Sequence, residues 1–190
     1  MIKAVIFDWF GVIVGQGFDH TYRLAGGDPE KDKSFTIQTL KLANFGQIST
    51  SEFNKKMAEQ LNISLETWHQ AVLDSELADF ELLNYIKSLK GKYKTAILSN
   101  ANRGALTNKL APHQLEEYFD ELIVSAEVGM AKPDREIYHL AANKLNVAVD
   151  ECLFIDDSQT NVEIAQSVGM HAILYDGFNK LKKELTKILV

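Results

Sequence analysis

The chain has 190 residues, 46% of them hydrophobic and 24% charged, with a formal net charge of −6. That is enough for one domain with a modest insert around a real core, and the acidic balance argues against a nucleic-acid binder, whose footprint is usually a basic face. No apolar run is long enough to span a bilayer, the opening Met1-Ile2-Lys3-Ala4-Val5 has no secretory-signal pattern, and the single cysteine, Cys152, allows neither an internal disulfide nor a cysteine-rich zinc site. The simplest expectation is a cytoplasmic protein, monomer or homodimer, with no membrane or nucleic-acid partner.

Lys3 to Phe7 reads as a buried strand that ends at Asp8. Gly11 and the apolar Val12-Ile13-Val14 follow, and Gly15-Gln16-Gly17 fits a hinge. From about Phe18 to Ala78 there is no convincing strand. Gly26-Gly27-Asp28-Pro29 is a loop, and Ser34 to Phe45 a helix. Ser49-Thr50-Ser51-Glu52 fits a capping box, after which Phe53, Met57 and Leu61 recur at helical spacing. Beyond Asn62-Ile63-Ser64, a second apolar stripe takes in Leu65, Trp68, Val72 and Leu73.

From Asp79 helices and strands alternate. Phe80, Leu83, Ile86 and Leu89 form one helix face, with Gly91 as a C-cap glycine. Thr95 to Leu98 is a strand that ends in Ser99-Asn100. Leu106 to Leu110 and Leu115 to Phe119 are helical fragments broken by Pro112, and Glu121 to Ser125 is a strand. Lys132 precedes Pro133, which is expected to open a helix carrying Ile137, Leu140, Ala141 and Leu145. Leu153 to Ile155 is a strand that ends in Asp156-Asp157. Ser158 can cap a helix with Val162, Ala165 and Val168 on its apolar face, ended by Gly169. His171 to Leu174 is the last strand, and Phe178 to Leu189 an amphipathic helix. The alternation predicts an α/β fold, a doubly wound parallel sheet. Residues 1–15 and 79–190 would form the Rossmann-like core, and 16–78 an inserted α-helical cap.

Short apolar strands that each end in a polar residue place a site at the carboxyl edge of such a sheet. An Asp carboxylate such as Asp8 can attack phosphorus and form an aspartyl-phosphate. Asp8 with Asp156 and Asp157 offers an all-oxygen site suited to Mg²⁺. Lys132 would pair with Asp8 and a phosphate oxygen, and the Ser99 hydroxyl and Asn100 backbone N–H would bind another. Each residue also has a bland reading: a strand-end Asp as a loop residue or helix cap, Lys132 as a surface lysine, Asp156-Asp157-Ser158 as an acidic helix N-terminus. All four in this order favour metal-assisted phosphoryl transfer. His20, His69, His113, His139 and His171 show no metal-ligand spacing, and there is no Gly-rich phosphate loop.

Phe7-Asp8-Trp9-Phe10-Gly11-Val12, Leu98-Ser99-Asn100, Lys132-Pro133-Asp134 and Phe154-Ile155-Asp156-Asp157-Ser158 resemble the four motifs of the haloacid dehalogenase superfamily, and the helical stretch resembles its small helical cap. The resemblance implies Asp8 as nucleophile and Lys132 as the motif lysine. It implies Ser99 and Asn100 as the phosphate-binding pair. Asp8, Asp156, Asp157 and the backbone carbonyl of Phe10 would be the Mg²⁺ ligands, with Asp157 more direct than Asp156. The substrate would be a small phosphorylated metabolite. The departure is Phe10, where family phosphatases usually carry an Asp as general acid and base, worth about 10²–10⁴-fold. Three readings follow. The first is a phosphatase that is slow or restricted to good leaving groups. In the second a cap residue such as Asp19 or His20 supplies the proton. The third is a relative of the metal-free dehalogenase branch, against which the Asp156-Asp157 pair stands. A non-catalytic binding or regulatory relative is the alternative from another class.

Overall fold

The structure, a computed structural model, describes residues 1–15, 17–106 and 112–189, the side chains of Pro112 and His113 excepted. The chain runs from β1 (Ala4–Phe7) through four helices, α1 (Phe18–Leu24), α2 (Lys33–Asn44), α3 (Thr50–Leu61) and α4 (Leu65–Ser75), to α5 (Phe80–Leu89) and β2 (Lys94–Ser99). There follow α6 (Pro112–Tyr118), β3 (Glu121–Val124), α7 (Ser125–Val128), α8 (Arg135–Leu145), a 3₁₀ turn at Val149–Glu151, β4 (Cys152–Asp156), α9 (Gln159–Ser167), β5 (His171–Leu174) and α10 (Phe178–Ile188). The strands form one parallel sheet in the order β3-β2-β1-β4-β5, the expected doubly wound α/β architecture. No helix among the described residues is long and apolar enough to cross a membrane.

β1 is apolar at every position and β2 and β4 each carry an unbroken apolar run, Ala96-Ile97-Leu98 and Cys152-Leu153-Phe154-Ile155, because both faces of the sheet are covered. Successive side chains point to opposite faces. Val5 and Phe7 pack with Leu83 and Ile86 of α5 and Leu181 and Leu185 of α10. Ala4 and Ile6 pack with Ile137 and Ala141 of α8 and Ala165 of α9. Burial of a side chain such as Ile6 or Ile86 contributes about 1.5–3 kcal/mol, so these two layers fix where the strand ends lie.

The four inserted helices enclose a separate apolar cluster around Tyr22, Met57 and Trp68. Its α3 opens on the expected capping box: Ser49 Oγ accepts from Glu52 N–H, and the Glu52 carboxylate accepts from Ser49 N–H at 2.8 Å. The two chain segments joining this block to the sheet pair with each other. Val14 and Ala78 form an antiparallel bridge, Gly15 N–H donates to Leu77 O at 3.0 Å, and Asp79 N–H donates to Ile13 O at 2.9 Å. Gly15 has φ +65°, and a Cβ there would sit 2.5 Å from the Ser75 carbonyl oxygen, so this crossing requires glycine. Gln16 lies outside the described residues.

Several sequence expectations shift. Pro133 does not open α8; the helix starts at Arg135 after Asp134, because the Lys132 backbone just ahead is tied to the Asn100 side chain. Phe80 is 58% exposed; it stands in the first turn of α5, and the inward face is Leu82, Leu83, Ile86 and Leu89. Leu73 is 59% exposed, while the buried face of α4 runs through Trp68, Ala71 and Ser75. Ser125 starts α7 instead of closing β3, and its hydroxyl accepts from Ala101 N–H at 3.0 Å. Ser158 precedes α9 but makes no side-chain cap. The fragment expected at Leu106 to Leu110 falls, beyond Leu106, outside the described residues.

Candidate active site

The strand order reverses between β1 and β4, and in open α/β sheets ligands bind in the crevice at such a switch point. Phe7 pairs with Ile155, and Asp8 N–H donates to Ile155 O at 2.8 Å. Asp8 and Asp156 are therefore register neighbours, two residues beyond Ile6 and Phe154, which face α8 and α9. Lys132 reaches both: Nζ is 2.8 Å from Asp8 Oδ1 and 2.7 Å from Asp156 Oδ2. It also stands over the Phe154 ring, 5.4 Å from its centroid, a contact that favours a cation.

Asp156 is fully buried, and its second oxygen is also engaged. Oδ1 accepts from Ser158 N–H at 2.8 Å and from Asn161 Nδ2 at 3.0 Å. The Lys132 loop is clamped by Asn100, whose Oδ1 accepts from Lys132 N–H at 2.8 Å and whose Nδ2 donates to Lys132 O at 2.7 Å. Asp8 Oδ1 also accepts from Trp9 N–H at 2.7 Å, while Oδ2 has no partner among the described residues. Asp157 lies against Gly11: a Cβ on Gly11, which has φ +84°, would meet its Oδ2 at 2.1 Å.

Asp8, Asp156 and Asp157 offer oxygens within 4.8 Å of one another, against one lysine. Burial pushes the Asp8 carboxyl up to about 7; Lys132 opposes this and Asp156 reinforces it. Burial and then Asp156 raise Asp157, against Lys132. Burial works to lower Lys132, but Asp8 and Asp156 outweigh it and hold the ammonium above the usual lysine range. Like charges packed this closely call for a cation. The donor set is all oxygen, as Mg²⁺ prefers, and the Phe10 carbonyl accepts no hydrogen bond from the described residues. The residues present therefore fit Mg²⁺, with Asp8, Asp157 and the Phe10 carbonyl holding free lone pairs. Asp156 lies in the cluster with its oxygens already occupied by protein donors.

The cluster opens into a cavity of about 870 Å³ between the sheet edge and the four-helix block, with Asp8, Lys132 and Asp157 on one side and Phe18, Leu40, Phe53 and Trp68 on the other. Phe10 lines it beside Asp8, and Asn100 lines it as well. The Ser99 hydroxyl, at the end of β2, is fully buried and has no hydrogen-bond partner among the described residues. The structure thus brings Asp8, Asn100, Lys132, Asp156 and Asp157 together, and Ser99 precedes Asn100 at the end of β2. Sequence reasoning missed Asn161, which orients Asp156, and the clamping role of the Asn100 side chain. Asn161 stands one helical turn after Ser158, a position that periodicity alone marks as an ordinary polar helix residue.

The family profile described as haloacid dehalogenase-like hydrolase matches residues 2–169; the chain belongs to this family of hydrolases. The D-ribitol-5-phosphate phosphatase of Bacteroides thetaiotaomicron is 29% identical, over 100% of this chain and 99% of the relative. The phosphorylated carbohydrates phosphatase of Thermotoga maritima is 38% identical, over 90% of this chain and 84% of the relative. A crystal structure of a haloacid dehalogenase family enzyme from B. thetaiotaomicron, in complex with magnesium and inorganic phosphate, superposes with a TM-score of 0.77 at 23% identity, covering 95% of this chain and 99% of the other. The last likeness shows the shared fold.

Proposed function

We propose that the chain is a Mg²⁺-dependent phosphatase that hydrolyses a small phosphorylated metabolite through an aspartyl-phosphate on Asp8. The observation that carries this is three carboxylates within 4.8 Å of one another facing a single buried lysine. That arrangement suits charge neutralisation around a transferring phosphoryl group. The phosphatase names of two relatives that match most of the chain support it, as does the magnesium–phosphate complex of the structural relative.

Asp8 is the nucleophile: its Oδ1 is held by Lys132 and Trp9, leaving Oδ2 for phosphorus or for the metal. Lys132, anchored by Asp156, neutralises a phosphate oxygen. The Ser99 hydroxyl and Asn100 N–H bind another. Mg²⁺, held by Asp8, Asp157 and the Phe10 carbonyl with Asp156 behind Lys132, would offset charge between the carboxylate and the phosphate. The helical block acts as a cap that closes the cavity and excludes water. A cytoplasmic setting suits such a substrate. The absence of an acid at position 10 favours a slow phosphatase or one restricted to good leaving groups. A dehalogenase-like displacement shares that absence but leaves the Asp156-Asp157 pair without a purpose.

The test is phosphate release from a panel of esters with and without Mg²⁺, for the wild type and Asp8→Asn. Release that needs the metal and disappears in Asp8→Asn supports the reading. No release from any ester by folded protein contradicts it.

A further inference from the structure

We propose that the leaving group this site accepts is aromatic, which makes aryl phosphates its substrate class. This rests on the phosphatase reading and concerns the half of the cavity beyond the phosphate.

The first observation is the wall. Phe10, Phe18, Phe53 and Trp68 line the cavity together with Val72 and Leu73. Aromatic faces so placed favour offset or edge contacts with another ring. The volume, about 870 Å³, is ample, since an apolar cavity of about 150 Å³ already takes benzene.

The second observation is how few polar groups on that wall remain available. Thr21 and Ser75 are hydrogen-bonded to each other at 2.6 Å. Asn54 Oδ1 accepts from Trp68 Nε1 at 3.0 Å, which turns its amide nitrogen toward His69 Nε2 at 3.2 Å. These groups satisfy one another and present little to a polyol, whose hydroxyls would lose water without gaining partners. Asn100 and Asn161, also on the cavity, are engaged with Lys132 and Asp156; Asn44, Thr50, Glu76, Asn102 and Ser158 complete its polar lining, a small set for a chain of hydroxyls beside the aromatic wall.

The third observation is Phe10 itself, beside Asp8 where a proton donor to the leaving oxygen would be needed. An alkoxide departs poorly without that proton. A phenolate, whose conjugate acid has a pKa of about 10, departs without one. An Asp8 carboxylate oxygen forms a bond to phosphorus while the bond from phosphorus to the aryl oxygen breaks. The electron pair stays on that oxygen, which leaves as phenolate and takes its proton from solvent. Water then adds to phosphorus, the bond to Asp8 breaks, the carboxylate is regenerated and one proton passes to solvent. The net products are a phenol and inorganic phosphate.

The experiment compares kcat/KM for substituted phenyl phosphates with that for polyol and sugar phosphates, with Mg²⁺, in the wild type, Phe10→Asp and Leu73→Asp. We expect phenyl phosphates to exceed polyol phosphates by about 100-fold or more, the lower end of what a missing general acid costs. The rate should fall steeply as the phenol pKa rises. Phe10→Asp should flatten that slope and raise polyol phosphate turnover. Leu73→Asp, at an exposed position of the wall, should raise KM for phenyl phosphate about 10-fold while inhibition by inorganic phosphate stays unchanged. Equal or better turnover of polyol phosphates, or a shallow slope in the wild type, overturns the aromatic assignment and leaves the phosphatase reading intact. No release from any ester overturns both.

Discussion

A Cβ placed on Gly11 would lie 2.1 Å from Asp157 Oδ2, so this carboxylate rests directly on the bare Cα. Gly11 also has φ +84°, where a side chain is strained. Gly11→Ala must therefore move Asp157 or the loop that carries the Phe10 carbonyl, and both are expected Mg²⁺ ligands. Supporting positions around a metal typically cost 10–100-fold when changed. We expect half-saturation by Mg²⁺ to rise by about that factor, read from a metal titration of phosphate release.

The crowding of carboxylates sets a pH dependence for the metal-free chain. Burial raises Asp8 from 3.8 to about 7. Between those values the folded state keeps a proton that the unfolded chain has lost, so stability falls as pH rises through the window. Asp8→Asn removes the cost and leaves Lys132 paired with Asp156. At pH 8 without metal the variant should melt several degrees above the wild type, since about 1 kcal/mol moves Tm by roughly 2–4 °C at this size. The gap should close toward pH 4. Saturating Mg²⁺ should raise the wild type more than the variant, by binding to the folded state. Thermal melts at both pH values check this.

Asn100 holds the Lys132 backbone through two hydrogen bonds, at 2.7 and 2.8 Å. Asn100→Ala loses both, so a destabilisation of about 1–3 kcal/mol is expected, seen as a lower urea midpoint at unchanged slope. Because Lys132 then loses its fixed position, kcat should fall more than KM rises. Asn100→Asp keeps the acceptor for Lys132 N–H and loses the donor, and should fall between.

Much of the fold was legible because its cause is local. Runs such as Ala4-Val5-Ile6-Phe7 and Leu153-Phe154-Ile155 are apolar at every position, as a sheet covered on both faces requires. Ser49 and Glu52 carry their cap in the sequence. Asp8 and Asp156-Asp157 were legible because each stands at a strand end, and Lys132 because it directly precedes Pro133 and a helical pattern. What escaped depends on partners distant in the chain. Pro133 is held out of α8 by Asn100, 33 residues earlier in the sequence. Phe80 and Leu73 match a helical stripe, and only the docking of α5 and α4 decides that they face out. Asn161, and the satisfied polar wall of Asn54, Trp68 and His69, exist only once helices meet.

Cys152 is the lone thiol, and burial pushes it up to about 12, reinforced by Glu151 and Asp150. The thiolate is the reactive form, so alkylation of the folded chain at pH 8 should be at least about 100-fold slower than in urea, followed by mass spectrometry. By linkage the unfolded thiol ionises from its ordinary 9.0 upward while the folded one stays protonated. Its contribution to stability is therefore lost as pH rises from about 9 toward 12.

The proposed function turns on a covalent phosphoryl group on Asp8. Wild-type protein with Mg²⁺ should be mixed briefly with phenyl phosphate, quenched in acid and digested, and the peptide containing Asp8 weighed. A fraction of that peptide should be heavier by one phosphoryl group, and this fraction should be absent without Mg²⁺ and absent in Asp8→Asn. Phosphate release that persists in Asp8→Asn, with no phosphoryl group on this peptide in the wild type, would contradict it.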